Sequence, residues 1–356
     1  MQTLAEDLQQ IDRARRAWLT DLERQHEQSP GTDTLLALAR GEWRCGEYAS
    51  SLRHFEQAAL GAPERLDVQM ALVHAASLLG RKDVEATGLS EALRHHPSST
   101  EAALHAARLR IPANLDEAGK LLRPHRHDPI AGTFLRAIDR LSGKAVDMAS
   151  GADGEPMAAR WKGFQWLLRQ QPRPQALVGL PVNVLEKALA MAPGDGLTIE
   201  CGVYFGRSIN LIAAGTRGIV HGFDSFEGLP EAWKEGEPAG AYSTGGRLPE
   251  VAPNVRLHRG WFEHTLPAFL AANPGTIRLL HVDCDIYRST RTVLESLGNR
   301  LVSGSVLLFD DFLGYPGYEQ HEMRAFDEFR AASGLRCELI AACVLGREVA
   351  FRVLPD

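Results

Sequence analysis

The feature that most constrains this chain is a series of five short apolar runs, which begins after about residue 181 and alternates with segments of helical length. Each run ends in glycine, cysteine or an acidic residue: LTIEC (197–201), GIVHGFD (218–224), NVRLHRG (254–260), IRLLHVD (277–283) and SVLLFDD (305–311). Alternating strands and helices predict a parallel sheet covered by helices on both faces. Ligands of such sheets bind beyond the carboxyl ends of the strands. The residues that follow each run are therefore the candidates for function.

The last part of the chain departs from this alternation. The apolar runs RCELIAAC (336–343) and EVAFRVL (348–354) are joined by a short turn that contains glycine, which predicts an antiparallel hairpin. A doubly wound, mostly parallel α/β sheet closed by an antiparallel final strand resembles the Rossmann-like class I methyltransferase fold. Ordinary dinucleotide-binding domains lack that final strand.

The first 150 residues are rich in Ala, Leu and Arg and poor in β-branched runs, which predicts helices throughout. Gly46 and Gly80 are 34 residues apart, and so are Pro63 and Pro97. A period of 34 is typical of tetratricopeptide hairpins. An irregular helical domain is the alternative. The first unit resembles the tetratricopeptide consensus at Tyr48, Ala49, Phe55 and Ala58.

These two patterns predict two domains. We expect an all-α, tetratricopeptide-like domain in residues 1–150 and the α/β domain in residues 151–356. The boundary is placed in the glycine-containing stretch 142–155. The helix-like segment that follows, residues 157–170, could belong to either domain.

Composition narrows the class of protein. The net charge of -6 argues against a nucleic-acid partner, because phosphate binding relies on a basic surface. Five cysteines without a CxxC pair predict neither a disulfide framework nor a zinc site. The sequence shows no signal-peptide pattern, and no apolar run approaches the roughly 18 residues of a membrane span. We therefore expect a cytoplasmic protein.

The motif ECGVYFGRS follows the first predicted strand. Glu200 and Gly202 lie where the strand stops, and Gly206 lies where a helix begins. Glycine lets the backbone approach a ligand closely, and a carboxylate at Glu200 suits an ammonium group on that ligand. We count these three residues and Ser208 among the cofactor-binding candidates. A cluster of turn and capping residues without a ligand is the alternative.

The second and third strands end in further candidates. Asp224 lies 24 residues after Glu200, where an acidic residue can accept both hydroxyls of a ribose, and Ser225 is its neighbour. After the third strand, Trp261 and Phe262 could flank an adenine ring, or they could be core aromatics. We include Asp224, Ser225 and Trp261 among the cofactor-binding candidates.

Paired acidic residues end the fourth and fifth strands: Asp283 and Asp285 in HVDCDIY, and Asp310 and Asp311 in LFDDF. Strand alternation points Asp283 and Asp285 the same way, provided that the strand extends so far. Neighbouring strands lie about 5 Å apart, so these carboxylates crowd together and repel one another. A divalent cation with oxygen ligands resolves that repulsion, and Mg²⁺ keeps positions open for substrate oxygens. Solvated strand-end caps are the alternative.

In this order and spacing, ECGVYFGRS, GFDSFEGLP, GWFEHTLP, HVDCDIYRST and FDDF resemble the macrocin O-methyltransferase family of natural-product sugar methyltransferases. The resemblance covers residues 182–329. It implies S-adenosylmethionine, Mg²⁺ and transfer to a sugar hydroxyl. By motif, Asp283, Asp310 and Asp311 match the family's metal ligands, and Asp283 also matches its proposed base and a contact to the donor. Asp224 matches the ribose ligand. Arg207 stands where the family commonly has a small residue, and the helical domain is not part of the family core.

A sugar hydroxyl holds its proton at neutral pH, and an aspartate with a pKa of about 4 is too weak a base to remove that proton unaided. Coordination to Mg²⁺ lowers the pKa of the hydroxyl, so Asp283 could take the proton as the oxygen attacks the methyl group. The glycine-rich segment 230–251 is a candidate lid over the acceptor, or only a flexible surface loop. We expect a small-molecule or glycan acceptor, and a protein partner or self-association through the helical domain.

Two other functions are open to such a chain. A nicotinamide-dependent oxidoreductase would need the GxGxxG turn, which is missing, because only Gly202 and Gly206 are present. An interaction protein could use the helical repeats and keep a catalytically silent second domain. Within the methyltransferase interpretation, a catechol-like hydroxyl is an alternative acceptor.

Overall fold

The computed structural model describes residues 4–148 and 157–355. Helices account for the whole regular structure of the first range, as the composition predicted. They are α1 (Leu4–Gln28), α2 (Thr32–Arg44), α3 (Tyr48–Gly61), α4 (Leu66–Leu78), α5 (Lys82–His95), α6 (Thr100–Arg108), α7 (Leu115–Leu122) and α8 (Pro129–Leu141). None of the helices in the described ranges is long and apolar enough to cross a membrane.

The 34-residue period of the sequence is present in the helices themselves. Helices α2, α4 and α6 begin at residues 32, 66 and 100, and α3 and α5 begin at residues 48 and 82. Gly46 follows α2 with a φ of +81°, and Gly80 follows α4 with a φ of +66°. Glycine adopts this left-handed backbone without steric cost, which explains why it recurs where each helix ends. The structure therefore contains successive helical hairpins, and their tetratricopeptide assignment stays a prediction.

The second range contains an eight-stranded sheet. Its strands are β1 (Leu177–Val178), β2 (Leu197–Cys201), β3 (Val220–Asp224), β4 (Val255–Arg259), β5 (Ile277–Val282), β6 (Leu301–Phe309), β7 (Cys337–Cys343) and β8 (Val349–Val353), in the order β1-β7-β8-β6-β5-β2-β3-β4. Only β8 is antiparallel to its neighbours, β6 and β7. The predicted fold class and the closing hairpin are confirmed.

Helices cover both faces of the sheet. They are α9 (Met157–Arg169), α10 (Pro181–Met191), α11 (Arg207–Ala214), α12 (Phe262–Ala272), α13 (Tyr287–Leu297) and α14 (Glu322–Ser333). Buried residues of α10 and α11 pack on one face, and those of α9, α12, α13 and α14 on the other. The chain runs from β2 outward to β4 and from β5 outward to β6, so the direction of winding changes between β2 and β5. Doubly wound sheets bind their ligands at such a point.

Half of the predicted domain boundary, residues 149–155 of 142–155, lies outside the described residues, and the division at residue 150 stays a prediction. The segment whose domain was left open, α9, contacts both halves. Arg136 of α8 lies over the ring of Trp161, 4.4 Å from its centroid. On its other side, Trp166 packs against Phe312, which follows β6.

Candidate active site

A cleft of about 300 Å³ opens at the carboxyl ends of β2, β3 and β5, which is large enough for a small molecule. Most of the predicted site residues line it, namely Gly202, Asp224, Ser225, Trp261, Asp283, Asp310 and Asp311. Phe262 also faces the cleft, so the two aromatics after β4 are wall residues of this site. The sheet thus brings together residues that are up to 109 positions apart in the sequence.

The first turn of the site is held by Asp224. One carboxylate oxygen accepts the backbone N–H groups of Val203 and Tyr204, both at 2.8 Å, and the other accepts that of Phe226 at 2.6 Å. Gly202 has a φ of +93°, and a Cβ built on it would lie 1.6 Å from the carbonyl oxygen of Asp283. Only glycine allows that approach of β2 to β5. Asp224 therefore fixes the loop that forms the floor of the cleft.

Three predicted cofactor-binding residues do not line this cleft. Glu200 is fully buried and accepts a hydrogen bond from His281 Nδ1 at 2.8 Å. Burial raises the pKa of the Glu200 carboxyl, against the opposing effect of His281. Gly206, with a φ of +81°, precedes α11 and packs against Pro249. Ser208 lines a smaller cavity beside the cleft, together with His281 and Asp310, and its contact with a donor stays a prediction.

The acidic pairs form two overlapping groups. Oxygen atoms of Asp283, Asp285 and Asp311 lie within 4.8 Å of one another, and so do ligand atoms of Asp283, Asp310 and His281. The sequence grouped Asp283, Asp310 and Asp311, whereas in the structure Asp310 and Asp311 belong to different groups that share Asp283. Strand β5 ends at Val282, and Asp285 has a φ of +62°, so a turn rather than strand alternation brings its carboxylate back to the group.

The electrostatics of this cluster are unfavourable by themselves. Burial raises the pKa of Asp283 well above its usual value, and the charges of Asp310 and Asp285 raise it further. Burial likewise raises the pKa of Asp285, followed by the charge of Asp311. Arg347 Nη1 donates to Asp311 Oδ1 at 2.7 Å and offsets part of the repulsion. Convergent carboxylate oxygens in a cleft are the donor set that hard divalent cations prefer, so these residues fit a cation such as Mg²⁺.

Sequence reasoning missed several residues of the site. Tyr204 and Tyr242 line the cleft, and Arg347 reaches Asp311 from the turn between β7 and β8. Tyr204 lies inside the first motif and Tyr242 inside the proposed lid, so their positions carried a signal that was not used. Arg347 carried none, because nothing in the sequence of a hairpin turn shows which carboxylate it will meet.

Comparison with known proteins agrees with this geometry. Residues 199–312 match a family described as a methyltransferase domain. The chain is 30% identical over 193 residues to the 4'-O-methyltransferase of 8-demethyl-8-(2,3-dimethoxy-alpha-L-rhamnosyl)-tetracenomycin C from Streptomyces olivaceus, covering 45% of this chain and 70% of that protein. It is 29% identical over 176 residues to demethyldecarbamoylnovobiocin O-methyltransferase from Streptomyces niveus, covering 42% and 62%.

Solved structures similar to this chain include the calicheamicin methyltransferase CalS11, at 21% identity and a TM-score of 0.39, covering 63% of this chain and 93% of that one. The O-methyltransferase NovP is similar at 20% identity and a TM-score of 0.38, covering 64% and 100%.

A doubly wound sheet with an antiparallel strand β8, the strand-end motifs and the identity to known O-methyltransferases define the class. The chain belongs to the class I O-methyltransferases, which use S-adenosylmethionine. Within that class it belongs to the macrocin O-methyltransferase family, as its motifs predicted. The oxidoreductase and interaction-protein alternatives are not favoured.

Proposed function

We propose that this chain transfers a methyl group from S-adenosylmethionine to a hydroxyl of a sugar, carried by a natural product or a glycan, with the help of a divalent cation. The observation that carries the proposal is the convergence of Asp283, Asp285 and Asp311 in the cleft that Asp224 and Trp261 also line. A donor site and a cation site within one cleft are what metal-assisted methyl transfer to oxygen requires.

The donor half of the cleft is assigned by shape and charge. Asp224 and Ser225 lie at the end of β3, where they would receive the ribose, and Trp261 offers a ring face for the adenine. Gly202 keeps the backbone of β2 close to the donor. The carboxylate of Glu200 does not reach the cleft, so Glu200 would support the donor site only indirectly, through its hydrogen bond to His281.

The acceptor half contains the acidic cluster. Asp283, Asp285 and Asp311 would hold the divalent cation, with Asp310 and His281 beside them. When bound, such a cation lowers the pKa of a hydroxyl that it contacts and fixes its position. The environment of Asp283 raises the pKa of its carboxyl, which makes its carboxylate a stronger base than a solvated aspartate.

In the proposed reaction, Asp283 receives the hydroxyl proton on a carboxylate oxygen. The acceptor oxygen forms a bond to the methyl carbon as the bond from that carbon to the sulfonium sulfur breaks, and S-adenosylhomocysteine leaves. Alignment of these atoms supplies much of the acceleration, so the residues that orient the two substrates are as important as the base.

The class of the acceptor is inferred from the names of the related proteins. The name of the Streptomyces olivaceus protein specifies a rhamnosyl tetracenomycin as its substrate. In this chain, Leu229 lines the cleft together with Pro230 and Tyr242 of the segment proposed as a lid, and these three residues would contact the acceptor. A deoxysugar offers an apolar face to such residues and adjacent hydroxyls to the cation.

Calorimetric titration with S-adenosylhomocysteine tests the donor site. We expect one site per chain, which Asp224→Ala weakens by about 1–3 kcal/mol, because both the ribose contact and the hydrogen bonds that hold the loop are lost. Asp327→Asn, on the exposed face of α14, serves as the control and should bind as the unchanged protein does. A protein that binds NADH but not S-adenosylhomocysteine would overturn the proposal.

The acceptor and the cation are tested by the transfer of a labelled methyl group from S-adenosylmethionine to a nucleotide-linked rhamnose. A catechol is the competing class of acceptor. Chelator should abolish transfer and Mg²⁺ should restore it. Added Mg²⁺ should also raise the melting temperature of the protein, and Asp285→Asn should remove that effect while donor binding persists. Full transfer after exhaustive chelation would show that the carboxylates are not a cation site.

A further inference from the structure

The turns of the helical repeats contact the methyltransferase half. At Gly46, a Cβ would lie 2.5–2.7 Å from the ring and Cβ of Phe205. At Gly80, the neighbours are Leu211 and Val182. In the third hairpin, Arg108 Nε donates to the carbonyl oxygen of Gly179 at 2.8 Å. Successive repeat units therefore contact the catalytic half through their turns.

The first of these contacts reaches the donor loop. Phe205 is buried and lies in the segment Val203–Gly206, next to Tyr204, which lines the cleft and whose backbone N–H is held by Asp224. The rings of Tyr204 and Phe205 are in contact, with centroids 4.3 Å apart. Gly46 therefore packs against the same short loop that forms the floor of the donor site.

A second contact joins the segment that carries Tyr242 to the same repeat. Arg247, at the end of the segment that carries Tyr242, donates to Glu47 Oε1 at 2.8 Å and to the carbonyl oxygen of Cys45. Its guanidinium also lies 5.4 Å from the ring centroid of Phe205. Two residues earlier, a Cβ on Gly245 would lie 2.7 Å from the backbone nitrogen of Asp12 in α1. The loop that carries Tyr204 and the segment that carries Tyr242 thus both contact the turn that contains Gly46.

We propose that the amino-terminal helical domain is a positioning element of the active site. Through Gly46 and Glu47 it fixes Phe205 of the donor loop and Arg247 of the segment that carries Tyr242. Tyr204 and Tyr242, whose rings are in edge contact with centroids 5.8 Å apart, are thereby held in place at the cleft. Phe205 and Arg247 are positioning residues, because they act through their neighbours rather than on substrate. This role rests on the proposed donor site and assigns the helical domain to it.

Gly46→Ala tests the contact with Phe205, and Gly143→Ala is its matched control. Both glycines have a φ of +81°, so alanine strains the backbone equally, but a Cβ at residue 143 has no atom within 4 Å among the described residues. We expect Gly46→Ala to weaken S-adenosylhomocysteine binding at least fivefold in calorimetry, with Gly143→Ala unchanged. Equal binding by the two variants would overturn the proposal.

Arg247→Gln gives an independent test, with Lys82→Gln as control. Lys82 forms an ion pair of 2.7 Å with Glu186, which also joins the two halves but touches neither wall of the cleft. We expect Arg247→Gln to weaken S-adenosylhomocysteine binding and to speed cleavage by Glu-C protease at Glu231 and Glu235 several-fold. Arg247→Lys should restore part of both, and Lys82→Gln should change neither.

The two tests separate this inference from the proposed function. If the unchanged protein fails to bind S-adenosylhomocysteine, the donor assignment fails, whereas protease cleavage still reports whether Arg247 holds the segment. If the unchanged protein binds, but Arg247→Gln binds equally and is cleaved at the same rate, the helical domain does not position the site.

Discussion

At the scale of single residues, two histidines on neighbouring strands show how burial sets the response to acid. His221 Nδ1 and His258 Nε2 are 3.1 Å apart on β3 and β4, and both rings pack against Phe269. Burial, followed by the charge of His258, lowers the pKa of His221 from 6.5 to about 4. One ring must donate and the other accept, so the pair is stable only when at least one is neutral.

This pair predicts a loss of stability in acid. Between pH 6.5 and about 4 the unfolded chain binds more protons at this position than the folded protein, so the free energy of unfolding falls as the pH falls. For a half-buried group we expect about 1 kcal/mol between pH 7 and pH 5. Urea unfolding of His221→Gln should show a pH dependence smaller by that amount. The exposed His127→Gln should retain it, and an equal dependence in all three proteins would contradict the assignment.

At the scale of elements, α9 joins the halves of the molecule. Arg160 of this helix donates to the carbonyl oxygen of Leu345 at 2.5 Å, in the turn that also carries Arg347. At Gly163, a Cβ would lie 2.9 Å from Leu313 Cδ1 and 3.1 Å from the nitrogen of Gly314. Residues 313 and 314 follow the carboxylates at the end of β6, so α9 packs directly behind the acidic cluster.

This contact predicts that Gly163→Ala destabilises the protein, although alanine is the better helix former by about 1 kcal/mol. Overpacking against Leu313 and Gly314 should cost about 1–3 kcal/mol in the free energy of unfolding. Gly61→Ala, in the last turn of α3, is the control, because a Cβ there has no described atom within 4 Å. We expect that variant to be neutral or slightly stabilised. Denaturant titration of both variants measures the difference, and equal stabilities would disprove the contact.

At the scale of the whole molecule, the halves share one hydrophobic core. A single cluster of buried residues runs from Ala107 and Leu122 in the helical half, through Trp161 of α9, to Phe309 and Phe351 in the sheet. Smaller clusters fill the first two helical hairpins and the other face of the sheet. The predicted partner of the helical domain remains a prediction.

A shared core predicts cooperative unfolding. Differential scanning calorimetry should show one transition whose calorimetric and van 't Hoff enthalpies agree, and S-adenosylhomocysteine should shift all of it upward. Tryptophans in both halves allow fluorescence to follow the same transition as circular dichroism. Two separate transitions, with only the second shifted by the ligand, would show that the helical half unfolds independently.

The sequence by itself determined where the strands lie and which residues follow them. All five apolar runs became strands of the sheet, and the acidic and glycine residues that follow them gather at one edge. This follows from regular geometry, since parallel strands must end on the same side and their spacing is fixed. The repeat period was readable for a similar reason, because a helix end with positive φ favours glycine.

Only the tertiary structure decided where the side chains point once a strand has ended. Strand β5 stops at Val282, so the backbone angles of the following turn, set by packing, brought Asp285 to Asp283 and Asp311. Glu200 is inside the sheet because His281, on the neighbouring strand, accommodates its carboxylate. Arg347 and Gly46 reach the site from 36 and more than 150 residues away, respectively. A strand pattern encodes periodicity along the chain, whereas these contacts depend on how separate elements pack.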